Sequence, residues 1–583
     1  MKTMKLPVGV SDFQDIASGE YIFIDKTLLI KEIMDKGDKI LLIPRPRRFG
    51  KTLNISMLQY YYDCCPARVL PDSEGRFPSK KEDLPKNSYK QLFDNLAIAR
   101  AGEEYLEKMG KNPVIFLSFK NVKDSTWDVC YEKIMQLISD EYSRHYYLLS
   151  SGRLLPHEQD YFKNILARKG SVGNYQNSLG QLLKFLNRYY EARVVILIDE
   201  YDAAIHAGFT YNYYDTAINF MRGFLCGGLK DTDEYLEKSV ITGILRIAKE
   251  SIFSGLNNPG VYTVISEEFS DKFGFTENDV ESLLTRFNLT DRYDEVRRWY
   301  NGYRFGDETV YNPWSIINFL ESKVHELKPY WLNTSSNDLI ETVLSNGGQE
   351  LKEELEQLIR GESIEKLIDE NMIMKEIASR EELLWSFLLM TGYLKFTSKR
   401  KIGDQFYYNL TIPNAEVRIA YKNIIKKYFS GKIKNKELEM MLKALIDGDI
   451  SLFEKILQKI VVSIFSYHDF SGEPEKVYHA LVAGLLVWLW ETHEIKSNRE
   501  SGFGRYDIMI IPKNPELLGY VIEFKAVDED INETVTAAVE AAFKQIEVKK
   551  YETELVERGI RNIKKLAIVF SGKRVFVKEP EVQ

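Results

Sequence analysis

Two groups of residues in this sequence have the types and spacing for phosphate chemistry. The first is Arg45-Pro46-Arg47-Arg48-Phe49-Gly50-Lys51-Thr52, which follows the apolar run Leu41-Leu42-Ile43. Its last three residues match the end of a phosphate-binding loop, in which backbone N–H groups cradle phosphates, a lysine reaches the β and γ oxygens, and a threonine hydroxyl holds Mg²⁺. Leu53, Met57 and Tyr60 follow at helical spacing, and a helix starting here adds the positive end of its dipole. The loop departs from the usual pattern at its opening glycine, which falls on Arg45 between two prolines that carry no N–H. The partner signal is Arg193-Val194-Val195-Ile196-Leu197-Ile198-Asp199-Glu200, a β-branched run ending in two carboxylates. There Asp199 would hold Mg²⁺ and Glu200 would polarise an attacking water. Together the two stretches predict an ATP site built from Arg47, Arg48, Gly50, Lys51, Thr52 and Asp199, with Thr52 and Asp199 on the metal and Glu200 catalytic. Thr242 and Arg246 could sense the γ-phosphate or could simply satisfy a sheet edge.

The second group lies near the C-terminus, in Gly504-Arg505-Tyr506-Asp507 and Tyr520-Val521-Ile522-Glu523-Phe524-Lys525. Residues two apart in a strand share a face, so Glu523 and Lys525 project together. A hairpin pairing brings Asp507 beside Glu523. Two carboxylates ~4 Å apart repel by about 4 kcal/mol at an effective dielectric near 20, so a site holding both ionised asks for a cation. Oxygen ligands suit Mg²⁺ or Mn²⁺, and Lys525 would orient or deprotonate a water that attacks a phosphodiester. The expected metal set is Asp507, Glu523 and the Phe524 carbonyl, with Glu475 nearby; Asp507, Glu523 and Lys525 are the expected catalytic residues. His479 reads as a positioning or core histidine and Glu500 as a solvated loop carboxylate.

The elements that must position these residues follow from the apolar pattern. Lys39–Ile43, Pro113–Phe119, Arg193–Ile198 and Ser239–Leu245 are apolar on both faces, as strands of a helix-covered parallel sheet are. This predicts an α/β, doubly wound P-loop domain over 1–275. Residues 276–460 read as mainly helical, interrupted by a hairpin over Gly392–Thr397 and Gln405–Leu410 that resembles a winged-helix unit. A packing lid and a DNA-contacting wing fit that pattern equally. Residues 465–583 read as an α/β restriction-endonuclease-like domain: helix Glu475–Trp490, three strands, helix Glu533–Glu557, and a strand at Lys565–Phe570. At 583 residues the chain exceeds one hydrophobic core. Its net charge of −8 excludes a uniformly basic nucleic-acid binder but not a local basic groove. Four cysteines without metal-ligand spacing fit a reducing cytosol. Met1–Val10 has no apolar secretory segment, and Ala480–Trp490 is too short to cross a bilayer.

Tyr21-Ile22-Phe23-Ile24-Asp25-Lys26-Thr27, the Arg45–Thr52 loop and Asp199-Glu200-Tyr201-Asp202 closely resemble the AAA-ATPase-like family of bacterial and archaeal proteins. The resemblance continues through Trp299-Tyr300-Asn301-Gly302-Tyr303 and Tyr311-Asn312-Pro313-Trp314. In that family the Arg-Pro-Arg-Arg-Phe-Gly-Lys-Thr loop is the usual form, so Arg45 is no defect. Asp507, Glu523 and Lys525 carry the PD-(D/E)xK nuclease signature, and Gln545, Lys549 and Tyr551 resemble the Gln-x-x-x-Lys-x-Tyr segment of such nucleases. The resemblance implies an ATP-binding protein coupled to a Mg²⁺- or Mn²⁺-dependent nuclease acting on DNA or RNA. The alternatives are a nucleotide-switched binding protein whose nuclease fold does not cut, and an assembly ATPase acting as a homo-oligomer.

Overall fold

A computed structural model of the chain describes residues 5–580 apart from 66–68, 70, 74–76, 79, 86–88, 248–258, 333–348, 360, 372–373, 378–379, 422–434, 465–481, 483–484, 487–488, 490–491, 502–503 and 528–532. The chain forms two compact units, one of residues 1–339 with 365–417, the other of residues 340–364 with 418–583.

The first unit is built on an all-parallel sheet of β1 (Ile40–Pro44), β2 (Val114–Ser118), β3 (Val194–Asp199), β4 (Leu236–Gly243) and β5 (Gly260–Val261), in the spatial order β2-β3-β4-β1-β5. Val194 to Ile198 have no exposed surface. Burying each such aliphatic side chain stabilises the fold by about 1.5–3 kcal/mol relative to leaving it in water. That is why these strands read as unbroken apolar runs rather than alternating ones. β4 lies between β1 and β3, which brings the residues following β1 and those ending β3 to the same edge of the sheet. The helices Val172–Tyr190 and Tyr214–Leu229 pack closely. A Cβ on Gly180 would sit 2.1 Å from the Gly227 carbonyl oxygen, so only glycine allows this approach.

After the sheet, the helices Glu277–Arg286, Tyr293–Tyr300 and Pro313–Glu321 close a small core around Val280, Leu284, Val296, Tyr300, Tyr311 and Phe319. A hairpin of β6 (Tyr303–Phe305) and β7 (Glu308–Val310) sets Tyr303 and Phe305 against Phe49 of the loop after β1, with ring centroids 5.0 and 5.1 Å away. Strands β8 (Ile364–Leu367), β9 (Lys395–Ile402) and β10 (Gln405–Thr411) form a separate sheet in the order β8-β10-β9, with the helix Glu381–Met390 between β8 and β9 in the chain. The expected hairpin is β9–β10.

The second unit holds a mixed sheet in sequential order, β11 (His493–Ser501), β12 (Gly504–Pro512), β13 (Gly519–Ala526), β14 (Ile563–Ser571) and β15 (Arg574–Lys578). Only β13 and β14 run parallel. Ile508, Ile510, Ile522, Phe524, Leu566 and Ile568 bury one face of it. The helices Asn435–Asp447 and Ile450–Ile464, which the sequence groups with the middle region, supply Met441, Leu445, Phe453 and Leu457 to this same core. Val482, Leu485, Leu486 and Leu489 of the long apolar run are buried there too. The opposite face carries Met509, Ile511 and Val521 under Ile546, Tyr551 and Leu555. The stretch read as one helix, Glu533–Glu557, is two, Val535–Lys549 and Thr553–Glu557. It breaks at Lys550, whose backbone is left-handed at φ +51° and ends a helix as such residues do. Among the described residues no helix is long and apolar enough to cross a membrane.

Candidate nucleotide and phosphodiester sites

The loop after β1 turns into the helix Lys51–Tyr62 through two left-handed residues, Arg48 at φ +68° and Gly50 at φ +82°. Thr52, in the first turn, donates its hydroxyl to Asp199 Oδ2 at 2.8 Å. Ser118 at the end of β2 donates to the same oxygen at 3.2 Å, and Thr242 of β4 donates to Asp199 Oδ1 at 2.8 Å. Asp199 therefore sits fully buried beneath three hydroxyls drawn from three different chain segments. Thr242 is thus a partner of Asp199, and Ser118 is a member of the cluster that the sequence reading missed. A lone serine at a strand end carries no pattern that could single it out.

Lys51 is buried, and its ammonium rests on the carbonyls of Arg45 and Pro46 at 3.1 and 3.0 Å. Burial depresses it below the ordinary lysine range, against the pull of Glu200, Asp199 and Asp202. Glu200 holds a left-handed backbone at φ +52°. Asp202 accepts the N–H groups of Ile244 and Leu245 and lies 3.0 Å from His206 Nε2, which fixes the chain leading to Arg246.

Arg45, at the position of the missing glycine, is fully buried. It donates to the carbonyls of Pro44, Tyr262 and Phe269 at 2.9, 2.7 and 3.2 Å, and its guanidinium lies 5.2 Å from the rings of Phe273 and Phe305. Burial pushes it down to about 9. Its side chain braces the loop and does not face a ligand. The other arginines of the loop are Arg47 and Arg48. Among the described residues neither guanidinium has a hydrogen-bond acceptor, and burial lowers Arg48 below the ordinary arginine range against the pull of Glu200.

In the second unit the β12–β13 ladder pairs Ile508 with Ile522. Asp507 and Glu523 are next in line, on the face that carries Met509 and Val521. There the Asp507 carboxylate takes over from the ladder and accepts the Phe524 N–H at 2.7 Å. Glu523 is buried. Lys525 shares its face, as strand alternation requires, with its ammonium 3.4 Å from Glu523 Oε1 and 2.9 Å from the Phe524 carbonyl. Gln545 donates to the Tyr551 hydroxyl at 3.3 Å. Burial raises that phenol, and the charges of Glu523 and Asp507 raise it further, so Tyr551 stands in the field of the carboxylates.

The model of a family described as predicted AAA-ATPase matches residues 7–68 and 82–253, and that of the PD-(D/E)XK nuclease superfamily matches residues 473–580. The chain carries an AAA-ATPase-like region and a PD-(D/E)XK nuclease superfamily domain. A protein of Azotobacter chroococcum mcd 1, described as an uncharacterized protein in the vnfD 5' region, is 24% identical over 572 residues. The alignment covers 96% of this chain and 95% of that one, so the likeness spans both parts. Within the nuclease superfamily domain, Glu475 and His479 lie outside the described residues, as does the side chain of Glu500. Among the described residues no three His, Cys, Asp or Glu side chains gather as a metal cage. Asp507 and Glu523 are the two carboxylates present. The donor set nonetheless fits a hard cation: the Lys525 ammonium lies against the Glu523 carboxylate and the Phe524 carbonyl, both oxygen donors. In the AAA-ATPase-like region the cationic side chains of Arg47, Arg48 and Lys51 share one loop with Thr52, which donates to Asp199, a residue set whose chemistry suits a polyphosphate.

Proposed function

We propose that this chain binds ATP with Mg²⁺ at the loop of its AAA-ATPase-like region and hydrolyses nucleic-acid phosphodiesters in its nuclease superfamily domain. The observation that carries the reading is the Asp507–Phe524–Lys525–Glu523 arrangement. Asp507 accepts the Phe524 N–H, and Lys525 bridges the Phe524 carbonyl and Glu523, a set of two carboxylates and a lysine around one residue that suits the cleavage of phosphodiesters.

Asp507, Glu523 and the Phe524 carbonyl would hold a Mg²⁺ or Mn²⁺ ion, which when bound neutralises charge on the phosphate. Lys525 orients the attacking water and stabilises the developing negative charge. Tyr551, kept as a neutral phenol, accepts from Gln545 and would donate to a phosphate oxygen. In the nucleotide site Lys51 exchanges its loop carbonyls for phosphate oxygens, and Thr52 and Asp199 supply the oxygens for Mg²⁺. Glu200 accepts the proton of the attacking water. The four free cysteines suit a reducing cytosol.

Incubating the purified full chain with plasmid, single-stranded DNA and RNA, with and without Mg²⁺ and ATP, tests both halves. Cleavage that requires the metal and is lost in Asp507→Ala supports the reading. Cleavage undiminished in Asp507→Ala removes it.

A further inference from the structure

The loop arginines are held by two tryptophans from outside the AAA-ATPase-like match. Trp314 opens the helix Pro313–Glu321, and its ring faces the Arg48 guanidinium at 4.2 Å from centroid to carbon. That ring is fixed in place. Asn312 caps the helix by accepting the N–H groups of Trp314 and Ser315, Pro313 suits the first helical position, and the Trp314 indole N–H donates to the Tyr330 carbonyl at 3.2 Å. The next residue, Trp331, is buried and donates its indole N–H to the Arg47 carbonyl at 3.2 Å. Its ring lies against Tyr393, and its backbone N–H is bound by Glu416 at 2.7 Å. Two consecutive residues of the loop are thus gripped by one preorganised segment.

We infer that Trp314 and Trp331 are positioning residues for phosphate binding: Trp331 sets the peptide that follows Arg47, and Trp314 holds Arg48 with its N–H edge free for a phosphate. The chemistry of guanidinium favours this. Stacking uses the flat face, while the donors lie in the plane and point outward. Arg48 has spent a left-handed backbone to reach the ring, and among the described residues no acceptor takes its N–H groups. A merely structural arginine would have found one, as Arg45 does three residues earlier in the same loop. The inference rests on the ATP reading above and extends it to residues that never touch the nucleotide.

The test is ATP·Mg²⁺ titration of the full chain by calorimetry, with thermal unfolding run alongside each variant. Trp314→Ala is expected to weaken binding roughly three- to tenfold, the size of a partly desolvated cation–π contact, and Trp314→Phe to recover part of that loss. In the double variant Arg48→Ala/Trp314→Ala the loss should equal that of Arg48→Ala alone, because Trp314 acts through Arg48. Trp331→Phe keeps an aromatic ring in the pocket but loses the N–H donor together with the indole's second ring, and should weaken binding, with the melting temperature showing how much of the loss is packing. Additive losses for Arg48 and Trp314, or unchanged affinity in both Trp314→Ala and Trp331→Phe, overturn the inference while the ATP site stands. Parent protein that binds no ATP, or binds it as well in Lys51→Ala, overturns the ATP reading and this role with it.

Discussion

Glu416 offers a sharp test of the packing beneath the phosphate loop. Its carboxyl is fully buried; it accepts the Trp331 N–H at 2.7 Å and the Ser315 hydroxyl at 2.8 Å, and the titratable groups facing it are Tyr300, Tyr303 and Tyr330. Burial raises it from 4.5 to about 8, with the two hydrogen bonds pulling the other way. The folded protein therefore keeps the proton across a range in which the unfolded chain has lost it. A raised folded value means that the contribution to stability is complete below about pH 4.5 and is lost as pH rises to about 8. At 1.36 kcal/mol per unit, the loss is about 5 kcal/mol across the whole window and about 3 kcal/mol by pH 7. Glu416→Gln removes the titration and keeps an oxygen for the Trp331 N–H. Urea unfolding followed by tryptophan emission, at pH 5 and pH 8.5, compares the two proteins. The variant should gain several kcal/mol on the parent between these pH values, whatever the other groups do, because their titration is common to both. Parallel pH profiles would show that Glu416 ionises freely and that the argument from burial is wrong.

Further outcomes are expected at three places in the chain. Lys51→Ala should abolish ATP binding measured by calorimetry while the fold survives, and Glu200→Gln should retain binding but lose turnover in a phosphate-release assay. In the nuclease superfamily domain Lys525→Ala should keep Mn²⁺ binding, read by calorimetry, yet lose cleavage rate, whereas Asp507→Ala should lose both and, by freeing the Phe524 N–H, lower the melting temperature modestly without unfolding the domain. Gly180→Ala should destabilise the first unit by about 1–3 kcal/mol, the usual cost of overpacking. Its new methyl would meet the Gly227 carbonyl, and an unchanged unfolding midpoint would show that the helices can shift apart.

The placement of the candidate residues on their strands was legible because it is enforced locally. Strand alternation alone puts Glu523 and Lys525 on one face, and a buried parallel strand advertises itself as the run Val194–Ile198. The order β2-β3-β4-β1-β5 was not legible, since which strand lies beside β1 depends on pairings nearly two hundred residues apart in sequence. β5 is two residues long and leaves no periodic trace. Ser118, Trp314 and Trp331 act through single hydrogen bonds or ring contacts, which impose no repeat on the chain. Arg45 shows the same limit from the other side. Its position suggested a lost glycine, whereas its role is written in the carbonyls of Tyr262 and Phe269, more than two hundred residues away.

That brace changes what kind of receptor the loop is. Glycine-rich phosphate loops can fold around a ligand as it arrives, at an entropic cost charged against affinity. Here prolines at 44 and 46 stiffen the backbone, and a guanidinium bolted to three carbonyls leaves the strand end little room to breathe. Such a loop is an arch set before the guest arrives. Binding to it should be a single-step encounter, linear in nucleotide concentration up to high rates, with no slow closing phase originating in the loop itself.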